Sequence, residues 1–353
     1  MSEQTDQAVS DPMLDRIPVS VLTGFLGSGK TTVLNALLKH PDMGQTAVVI
    51  NEFGEVGIDN LLVETASEDM VVMDSGCLCC TIRGDLIETL RGLIRRRWRS
   101  EIPAFERLVI ETTGLADPAP ILHTLMTDPV ISARYRLDGV IATVDAAAGE
   151  ATMDAQPEAV KQAAVADRIL LTKTDIVPHN ADLIDRLGRI NPAAPVLPVV
   201  QGKVDPANLF GTGLYDPATK SPDVARWLAE ESYAEAHHHD HDHAHHHDTN
   251  RHDDRIRSFV IRHETPIAWD KFVEWIEALI STHGANLLRM KGILNVQEAQ
   301  GPVAVHGVQH VFHPPAMLAD WPDGDDRVSR LVIIARDLNH APVEKMFKAF
   351  VEA

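Results

Sequence analysis

Cysteine, basic residues and long apolar runs are all scarce in this chain of 353 residues. It has only three cysteines, which excludes a disulfide-stapled scaffold and predicts a reducing, cytoplasmic location. Lys and Arg number 32 against 51 Asp and Glu, and the net charge of −19 argues against a nucleic-acid partner. No apolar run approaches the roughly 18 residues of a membrane span. The polar, acidic start does not resemble a signal peptide, so no membrane partner is expected.

Apolar residues nevertheless make up 44% of the chain, enough to bury a sizeable core. Between Ile17 and Val200, short runs rich in β-branched residues alternate with helical patterns. This alternation predicts an α/β fold with a mainly parallel sheet and flanking helices. The predicted strands are Ile17–Gly24, Thr46–Ile50, Met70–Asp74, Arg107–Glu111, Gly139–Asp145, Arg168–Thr172 and Pro195–Val200.

Composition divides the chain into four parts. Residues 1–16 are predicted to be a disordered lead, and 17–202 form the α/β domain. Residues 203–254 are predicted to be a linker, because Gly, Pro, Asp and His replace the apolar runs. Residues 255–353 contain further strands bracketed by helices, and they predict a small α+β domain.

Three histidines lie in one predicted strand of the second domain, GPVAVHGVQHVFH at 301–313. Strand alternation places His306 and His310 on one face and His313 on the other. We interpret them as structural histidines, with a second metal or partner site as the alternative.

GFLGSGKT, from Gly24 to Thr31, fits the pattern G-x-x-x-x-G-K-[ST] at every fixed position. It follows a predicted strand and precedes a predicted helix, as a phosphate-binding loop (P-loop) does. Its glycines let backbone N–H groups turn towards an oligophosphate, while the helix presents its positive end. Lys30 is predicted to reach the β- and γ-phosphates, and Thr31 to offer a hydroxyl to Mg²⁺. The motif predicts a nucleoside triphosphate site without distinguishing ATP from GTP.

Acidic residues end two of the predicted strands. A P-loop enzyme needs a carboxylate at the end of a nearby strand to organise Mg²⁺ and its waters, and Glu111 in LVIETTG is placed for that role. The alternative is that Glu111 is an ordinary acidic residue at the end of a strand, with no role in binding Mg²⁺. Asp145 is a weaker candidate, because strand ends often carry Asp for turn formation.

TKTD, from Thr172 to Asp175, resembles the Asn-Lys-x-Asp run that selects guanine in many P-loop proteins. Asp175 is predicted to accept hydrogen bonds from the base, and the stem of Lys173 to lie over the ring. Thr172 departs from the pattern, because it keeps a hydroxyl but lacks the paired donor and acceptor of an amide. We expect Thr172 in place of Asn to affect the affinity for the nucleotide more than the preference for guanine. A surface turn is the alternative.

All three cysteines fall within GCLCC, at Cys77, Cys79 and Cys80. Thiolates suit Zn²⁺, Co²⁺ or Cu⁺. In an extended loop Cys77 and Cys79 point the same way, and Cys80 adds a third ligand if the chain turns. A carboxylate, a water or a partner's group would complete the site. A redox switch is the main alternative.

Eight histidines and three aspartates fall within residues 237–248. Such a segment is predicted to be exposed and to collect Zn²⁺, Ni²⁺ or Co²⁺ for the cysteine site. A solvated linker without a metal role and an expression tag are the alternatives. The predicted auxiliary ligands are His237, His238, His239, His241, His243, His245, His246 and His247.

Together, GFLGSGKTT, INEFGEVGID, SGCLCC, IETTGLADP, TKTD and the His-rich tract resemble the CobW-type metallochaperone GTPases. These are relatives of the nickel-inserting GTPases of hydrogenase and urease maturation. The resemblance extends from about residue 17 to the C-terminus. It implies a P-loop GTPase domain, a CobW-type C-terminal domain, and GTP-dependent, Mg²⁺-dependent delivery of Zn²⁺ or Co²⁺ to a client metalloprotein.

The resemblance also implies roles for individual residues. Glu111 and Lys30 are catalytic, with Glu111 acting on Mg²⁺ or its water. Asn51, Glu52 and Asp59 belong to a switch segment that senses the γ-phosphate, and Glu52 is a candidate fourth metal ligand. The implied nucleotide-binding residues are Gly24, Gly27, Ser28, Gly29, Lys30, Thr31, Thr32, Thr172, Lys173 and Asp175, and the implied metal ligands are Cys77, Cys79 and Cys80.

Several alternatives remain open from sequence. The protein could serve cobalt delivery for cobalamin synthesis, or act as a metal buffer whose P-loop only gates affinity. Zinc is preferred because it is the commoner assignment among similar proteins. A P-loop kinase or other ATP-dependent transferase is disfavoured by TKTD and by the lack of an Arg-rich lid. Turnover is expected to be slow without metal or client, and a homodimer stays open.

Overall fold

The computed structural model describes residues 16–51, 71–74, 82–177, 179–211, 255–318, 320–321 and 325–352. Glu52, Asp59, the three cysteines and the His-rich tract lie outside these ranges, as does nearly all of the predicted lead. Within them, no helix is both long and apolar enough to cross a membrane.

Seven parallel strands form the first sheet. They are β1 (Ile17–Gly24), β2 (Thr46–Asn51), β3 (Val71–Asp74), β4 (Arg107–Thr112), β5 (Tyr135–Asp145), β6 (Arg168–Thr172) and β7 (Val196–Val199). Their order is β3-β2-β4-β1-β5-β6-β7. The helices are α1 (Lys30–Leu38), α2 (Ile82–Trp98), α3 (Ala119–Thr127), α4 (Pro129–Ser132), α5 (Gly149–Ala155), α6 (Pro157–Val165) and α7 (Ala181–Ile190). The predicted α/β class is confirmed.

Both faces of this sheet are covered. In β1, Val19 and Val21 join the core formed with α2 and α3, whereas Leu22 faces the core formed with α1. A strand buried on both faces needs apolar residues at successive positions, because neighbouring side chains point to opposite faces. This is why these strands appear in the sequence as continuous apolar runs.

The fifth strand begins at Tyr135 rather than at the predicted Gly139. The acidic Asp138 interrupts the apolar run, which made the strand look shorter in sequence. In the fold Asp138 is buried and accepts hydrogen bonds from Ser20 Oγ at 3.2 Å and from the backbone N of Gly211 at 3.0 Å. Both bonds go to Oδ2, and they let a carboxylate occupy a buried strand although Oδ1 has no hydrogen-bond partner among the described residues.

An antiparallel sheet forms the second unit. Its strands are β8 (Ile256–His263), β9 (Leu287–Leu294), β10 (Val303–Val308), β11 (Val311–Phe312), β12 (Ala316–Met317) and β13 (Ser329–Arg336), with helices α8 (Trp269–His283) and α9 (His340–Val351). The order is β11-β10-β9-β13-β8, and β12 pairs with β10. Along β13, Leu331 and Ile333 pack with the α8 and α9 side, whereas Val332 and Ile334 join the core shared with α6 and α7. The predicted α+β domain is confirmed, and its sheet packs directly on the first unit.

The prediction of one strand over 301–313 is wrong. Gln309, with φ 53°, and His310 form a two-residue turn between β10 and β11. The reversal brings His313 back to His306, whose carbonyl accepts from the His313 backbone N at 2.9 Å. The rings of these two residues stack with centroids 5.2 Å apart, so the predicted pairing of His306 with His310 is also wrong. His310 instead lies beside His123 of α3, with ring centroids 5.9 Å apart.

Burial of His306 makes stability depend on pH. Burial lowers the pKa of His306 to about 4, and the carboxylate of Asp167 opposes this only in part. An unfolded His titrates near pH 6.5, so between about pH 6.5 and 4 the unfolded chain binds a proton that the folded chain does not. Stability therefore falls as pH falls through this window. We expect the free energy of unfolding to lose about 1–2 kcal/mol more between pH 7 and 5 in the wild type than in His306→Gln.

Urea denaturation at the two pH values measures this difference. The exposed His310 supplies the matched control, and His310→Gln should keep the wild-type pH dependence. The same pH dependence in His306→Gln and the wild type would contradict the assignment.

Candidate nucleotide site

The candidate site lies at the carboxyl edge of the first sheet. Because the strands are parallel, the loops that follow β1, β4, β5 and β6 all emerge there. The strand register pairs Leu22 with Glu111 between β1 and β4. It pairs Asp145 with Thr172 between β5 and β6. Motifs that are far apart in sequence therefore meet at one edge.

The loop from Gly24 to Lys30 has backbone that glycine alone adopts readily. Gly24 has φ 141° and Gly29 has φ 91°. A Cβ at Gly24 would also approach Thr143 Oγ1 to 2.2 Å. The α1 helix then begins at Lys30, so the positive end of its dipole adjoins the loop. This is the arrangement expected of a phosphate-binding loop.

Lys30 folds back over its own loop. Its Nζ donates to the carbonyl oxygens of Gly24 at 2.8 Å and Phe25 at 3.2 Å, and the residue is only 8% exposed. The cation is therefore held at the loop, where the oxygens of a bound phosphate could replace the carbonyls as acceptors.

Thr31 and Glu111 provide oxygens for a divalent cation. Thr31 Oγ1 donates to Glu111 Oε1 at 3.0 Å, and Glu111 is buried at the end of β4. Adjacent ligands of an octahedral Mg²⁺ with bonds of 2.0–2.1 Å lie about 3 Å apart. The spacing and the hard oxygen donors therefore fit Mg²⁺, either directly or through its bound water.

Thr172 connects the base loop to the phosphate loop. Its Oγ1 donates to the carbonyl oxygen of Ser28 at 2.7 Å and lies 3.2 Å from that of Val144. The residue is buried, so in this arrangement the hydroxyl serves the protein backbone rather than solvent. The departure from Asn thus retains a donor that fastens the two loops together.

Lys173 and Asp145 form an ion pair that the sequence did not reveal. Lys173 has φ 59°, and its Nζ lies 2.5 Å from Asp145 Oδ2. The other carboxylate oxygen of Asp145 accepts from the backbone N of Ala147 at 2.8 Å, which fits the turn-forming role considered for this residue. The pair fixes the stem of Lys173, while Asp175 two residues later is exposed.

The predicted metal ligands Cys77, Cys79 and Cys80 lie outside the described residues, and so does Glu52. In the part of the chain that is described, no group of three or more His, Cys, Asp or Glu could hold a metal ion. The backbone of Asn51 pairs in register with Thr112, so the predicted switch segment starts beside the strand end that carries Glu111.

Comparisons with known proteins agree with this geometry. Residues 18–198 match the family model "CobW/HypB/UreG, nucleotide-binding domain", and 256–351 match "Cobalamin synthesis protein cobW C-terminal domain". The zinc chaperone YjiA of Escherichia coli is 35% identical over 343 residues, covering 96% of this chain and 98% of its own. The zinc-regulated GTPase metalloprotein activator 1 of Schizosaccharomyces pombe is 32% identical over 204 residues, covering 55% of this chain and 48% of its own. The crystal structure of Zn(II)-bound YjiA has a TM-score of 0.68 at 30% identity, covering 95% of this chain and 99% of that one.

Proposed function

The chain belongs to the CobW, HypB and UreG family of nucleotide-binding proteins, and from that premise we propose that it is a GTP-dependent metallochaperone for Zn²⁺. It hydrolyses GTP to GDP and phosphate, and it delivers the metal to a client metalloprotein. The observation that carries the proposal is the contact between Thr31 and Glu111 at the phosphate loop, in a chain similar along nearly its whole length to a zinc chaperone.

For hydrolysis, the phosphate loop and Lys30 hold the β- and γ-phosphates. Thr31 and Glu111 hold Mg²⁺, which when bound neutralises charge that develops on the transferred phosphoryl group. Guanine is selected by Asp175, with the stem of Lys173 against the ring. The ion pair of Lys173 with Asp145 supports this role, because it fixes the stem before the base arrives.

For metal binding, Cys77, Cys79 and Cys80 are the proposed ligands of the cargo ion, with Glu52 as a candidate fourth. Three thiolates leave a coordination position open, which suits transfer better than a closed site of four thiolates. Co²⁺ shares tetrahedral thiolate geometry and remains the alternative cargo. The names of the relatives favour zinc.

The two activities are coupled through the segment that starts at Asn51. A γ-phosphate orders such a segment, and hydrolysis releases it. The register of β2 beside β4 supports the coupling, because it puts the start of this segment next to Glu111. In this proposal, ordering of the segment brings the three cysteines into a geometry that binds the metal ion. GTP hydrolysis then releases the ion to the client.

Metal affinity under two nucleotides tests the proposal. The experiment uses a chain lacking residues 237–248, so that only the cysteine site reports, and measures Zn²⁺ affinity with GDP and with a slowly hydrolysed GTP analogue. We expect at least about 10-fold tighter binding with the analogue, a coupling free energy near 1.4 kcal/mol. The matched control replaces all three cysteines with serine and should show weak binding that no longer depends on nucleotide. Equal affinities with both nucleotides would refute the coupling.

Comparison of the full-length chain with a deletion variant tests the role of the His-rich tract. Deleting residues 237–248 should lower the number of bound Zn²⁺ ions while GTP turnover is unchanged. Loss of GTP turnover in the deletion variant would mean that the tract has a function other than binding metal.

Turnover stimulated by a client would exclude the alternative that the protein is a simple metal buffer. We propose that the protein is cytoplasmic and that the client docks on the C-terminal domain.

A further inference from the structure

Gln162 of α6 is a buried amide outside the residues assigned above. It is only 1% exposed, and its Nε2 donates to the carbonyl oxygens of Gly114 at 3.3 Å and Ala116 at 3.0 Å. Both carbonyls belong to residues 113–117, here called the glycine loop, which follows Glu111 directly after β4. The side chain therefore holds the loop next to the carboxylate proposed for Mg²⁺.

The glycine loop lies against the phosphate loop. A Cβ at Gly114 would come within 2.5 Å of the backbone N of Leu26 and within 2.7 Å of its Cα. Such an approach of two backbones is open only to glycine at this position. Just before the loop, Thr112 Oγ1 donates to Thr23 Oγ1 at 2.9 Å and fixes the end of β4 to β1. Gly114 is thus held close to the loop that binds phosphate.

The hydrogen bonding of Gln162 is directed to the glycine loop alone. Within the described residues its Oε1 is buried and has no hydrogen-bond partner, although leaving a buried acceptor unsatisfied is destabilising. The far end of the loop is held at Asp117, by Lys161 Nζ at 3.4 Å and by Gln309 Nε2 at 3.0 Å from the second sheet. Adjacent residues of α6 therefore hold the loop at two points.

A pocket lies beside Gln162. It is lined by Phe25, Leu26 and Ser28 of the phosphate loop and by Met153 and Gln162 of the helices opposite. The space between α6 and the phosphate loop is therefore not filled by packing. Gln162 therefore lies at the edge of an unfilled space beside the phosphate loop, and its amide is a direct side-chain contact from α6 to Gly114.

We propose that Gln162 is a positioning residue for GTP hydrolysis, keeping Gly114 against the phosphate loop where the γ-phosphate binds. The proposal rests on the GTPase activity proposed above. In P-loop proteins the terminal phosphate lies between the loop lysine and the metal held by the loop threonine and the strand-end acid. Here those groups are Lys30, Thr31 and Glu111. GDP lacks this phosphate, so Gln162 affects GTP and its hydrolysis but leaves GDP binding unchanged.

Gln162→Met tests the proposal, because methionine keeps the length of the side chain and removes both N–H donors. We expect kcat for GTP to fall by about 10-fold to 10²-fold, since a displacement of about 1 Å at a reacting centre costs that much. Affinity for a slowly hydrolysed GTP analogue should fall relative to GDP, and affinity for GDP should stay within about twofold of wild type. Gln162→Asn, which is too short to reach both carbonyls, provides a second variant and should show a smaller loss.

Asn191, which follows the last residue of α7, offers a matched control because it also holds α6 by a buried amide. Its buried Nδ2 donates to the carbonyl oxygens of Ala163, Ala164 and Ala166, at and just beyond the C-terminal end of α6. Asn191→Leu should lower the melting temperature without changing the ratio of analogue to GDP affinity.

A wild-type kcat and affinity ratio in Gln162→Met would overturn the proposal. An equal loss of affinity for GTP analogue and GDP would overturn it too, because that is the signature of a purely structural residue. If the wild type hydrolysed no GTP, the proposed function would fail, and the affinity ratio would still decide whether Gln162 positions the loop.

Discussion

Lys30→Met is expected to lower kcat/KM for GTP by about 10²-fold to 10³-fold, the usual effect of losing a preorganised group that stabilises charge in the transition state. The ammonium is already held at the phosphate loop by the carbonyls of Gly24 and Phe25. It therefore needs little reorganisation when phosphate binds. Methionine keeps most of the side-chain length, so the substitution removes charge rather than volume. Steady-state phosphate release at several GTP concentrations measures the effect.

The control for this variant is Lys39→Met. Lys39 is exposed and follows the last residue of the same helix, so it shares the residue type and the element but lies away from the loop. Its substitution should leave kcat/KM within about twofold of wild type, as expected for a surface position. Turnover in Lys30→Met within threefold of wild type would remove Lys30 from the catalytic assignment. Thermal melting of both variants separates loss of activity from loss of fold.

The strands of the first sheet were predictable where both faces are covered. The strands β1 and β6 have the predicted bounds, because each is buried at nearly every position and each is flanked by strands on both sides. The start of β5 was missed because the buried Asp138 interrupts the pattern, and its partners Ser20 and Gly211 are distant in sequence. The hairpin at Gln309 was missed because a non-glycine residue adopts positive φ there.

Only those parts of the candidate site that lie within a continuous sequence motif were predictable. The phosphate loop carries its own signature in consecutive residues, and the apolar strand before Glu111 marks that acid as a strand end. Contacts between motifs carry no such signature. Thr172 and Ser28 are 144 positions apart, and Gln162 and Gly114 are 48 apart. Pairs of this kind become visible only once the strands are set in order.

The boundary between the two sheets shows the same limit more strongly. Asp167 lies just before β6, and its carboxylate is bound by Arg289 and by Lys291 Nζ at 2.8 Å, both from β9. The separations are 122 and 124 positions. The Arg289 guanidinium also donates to the carbonyl oxygen of Val165, at the end of α6. In the sequence these are unremarkable charged residues, whereas in the fold they join the two sheets.

Asp167→Ala is expected to lower the free energy of unfolding by about 3–5 kcal/mol, the cost of breaking a buried ion pair from one side. Burial alone would raise the pKa of Asp167, but Arg289 and Lys291 hold it well below its usual range. The carboxylate is therefore charged throughout the neutral range, and its removal takes away an anion that Arg289 and Lys291 share. The backbone N of Val140, which donates to Asp167 Oδ2 at 2.9 Å, also loses its acceptor.

The surface pair of Asp185 with Arg189 on α7, 3.3 Å apart, supplies the contrast. Asp185 is 73% exposed, so Asp185→Ala should change stability by less than about 1 kcal/mol. Urea denaturation of both variants and the wild type at pH 7 and low salt measures the two effects under one condition. A loss below about 1 kcal/mol in Asp167→Ala would mean that this carboxylate contributes little to holding the two sheets together. A loss in the expected range would show that the ion pairs of Asp167 hold β9 against the nucleotide-binding sheet.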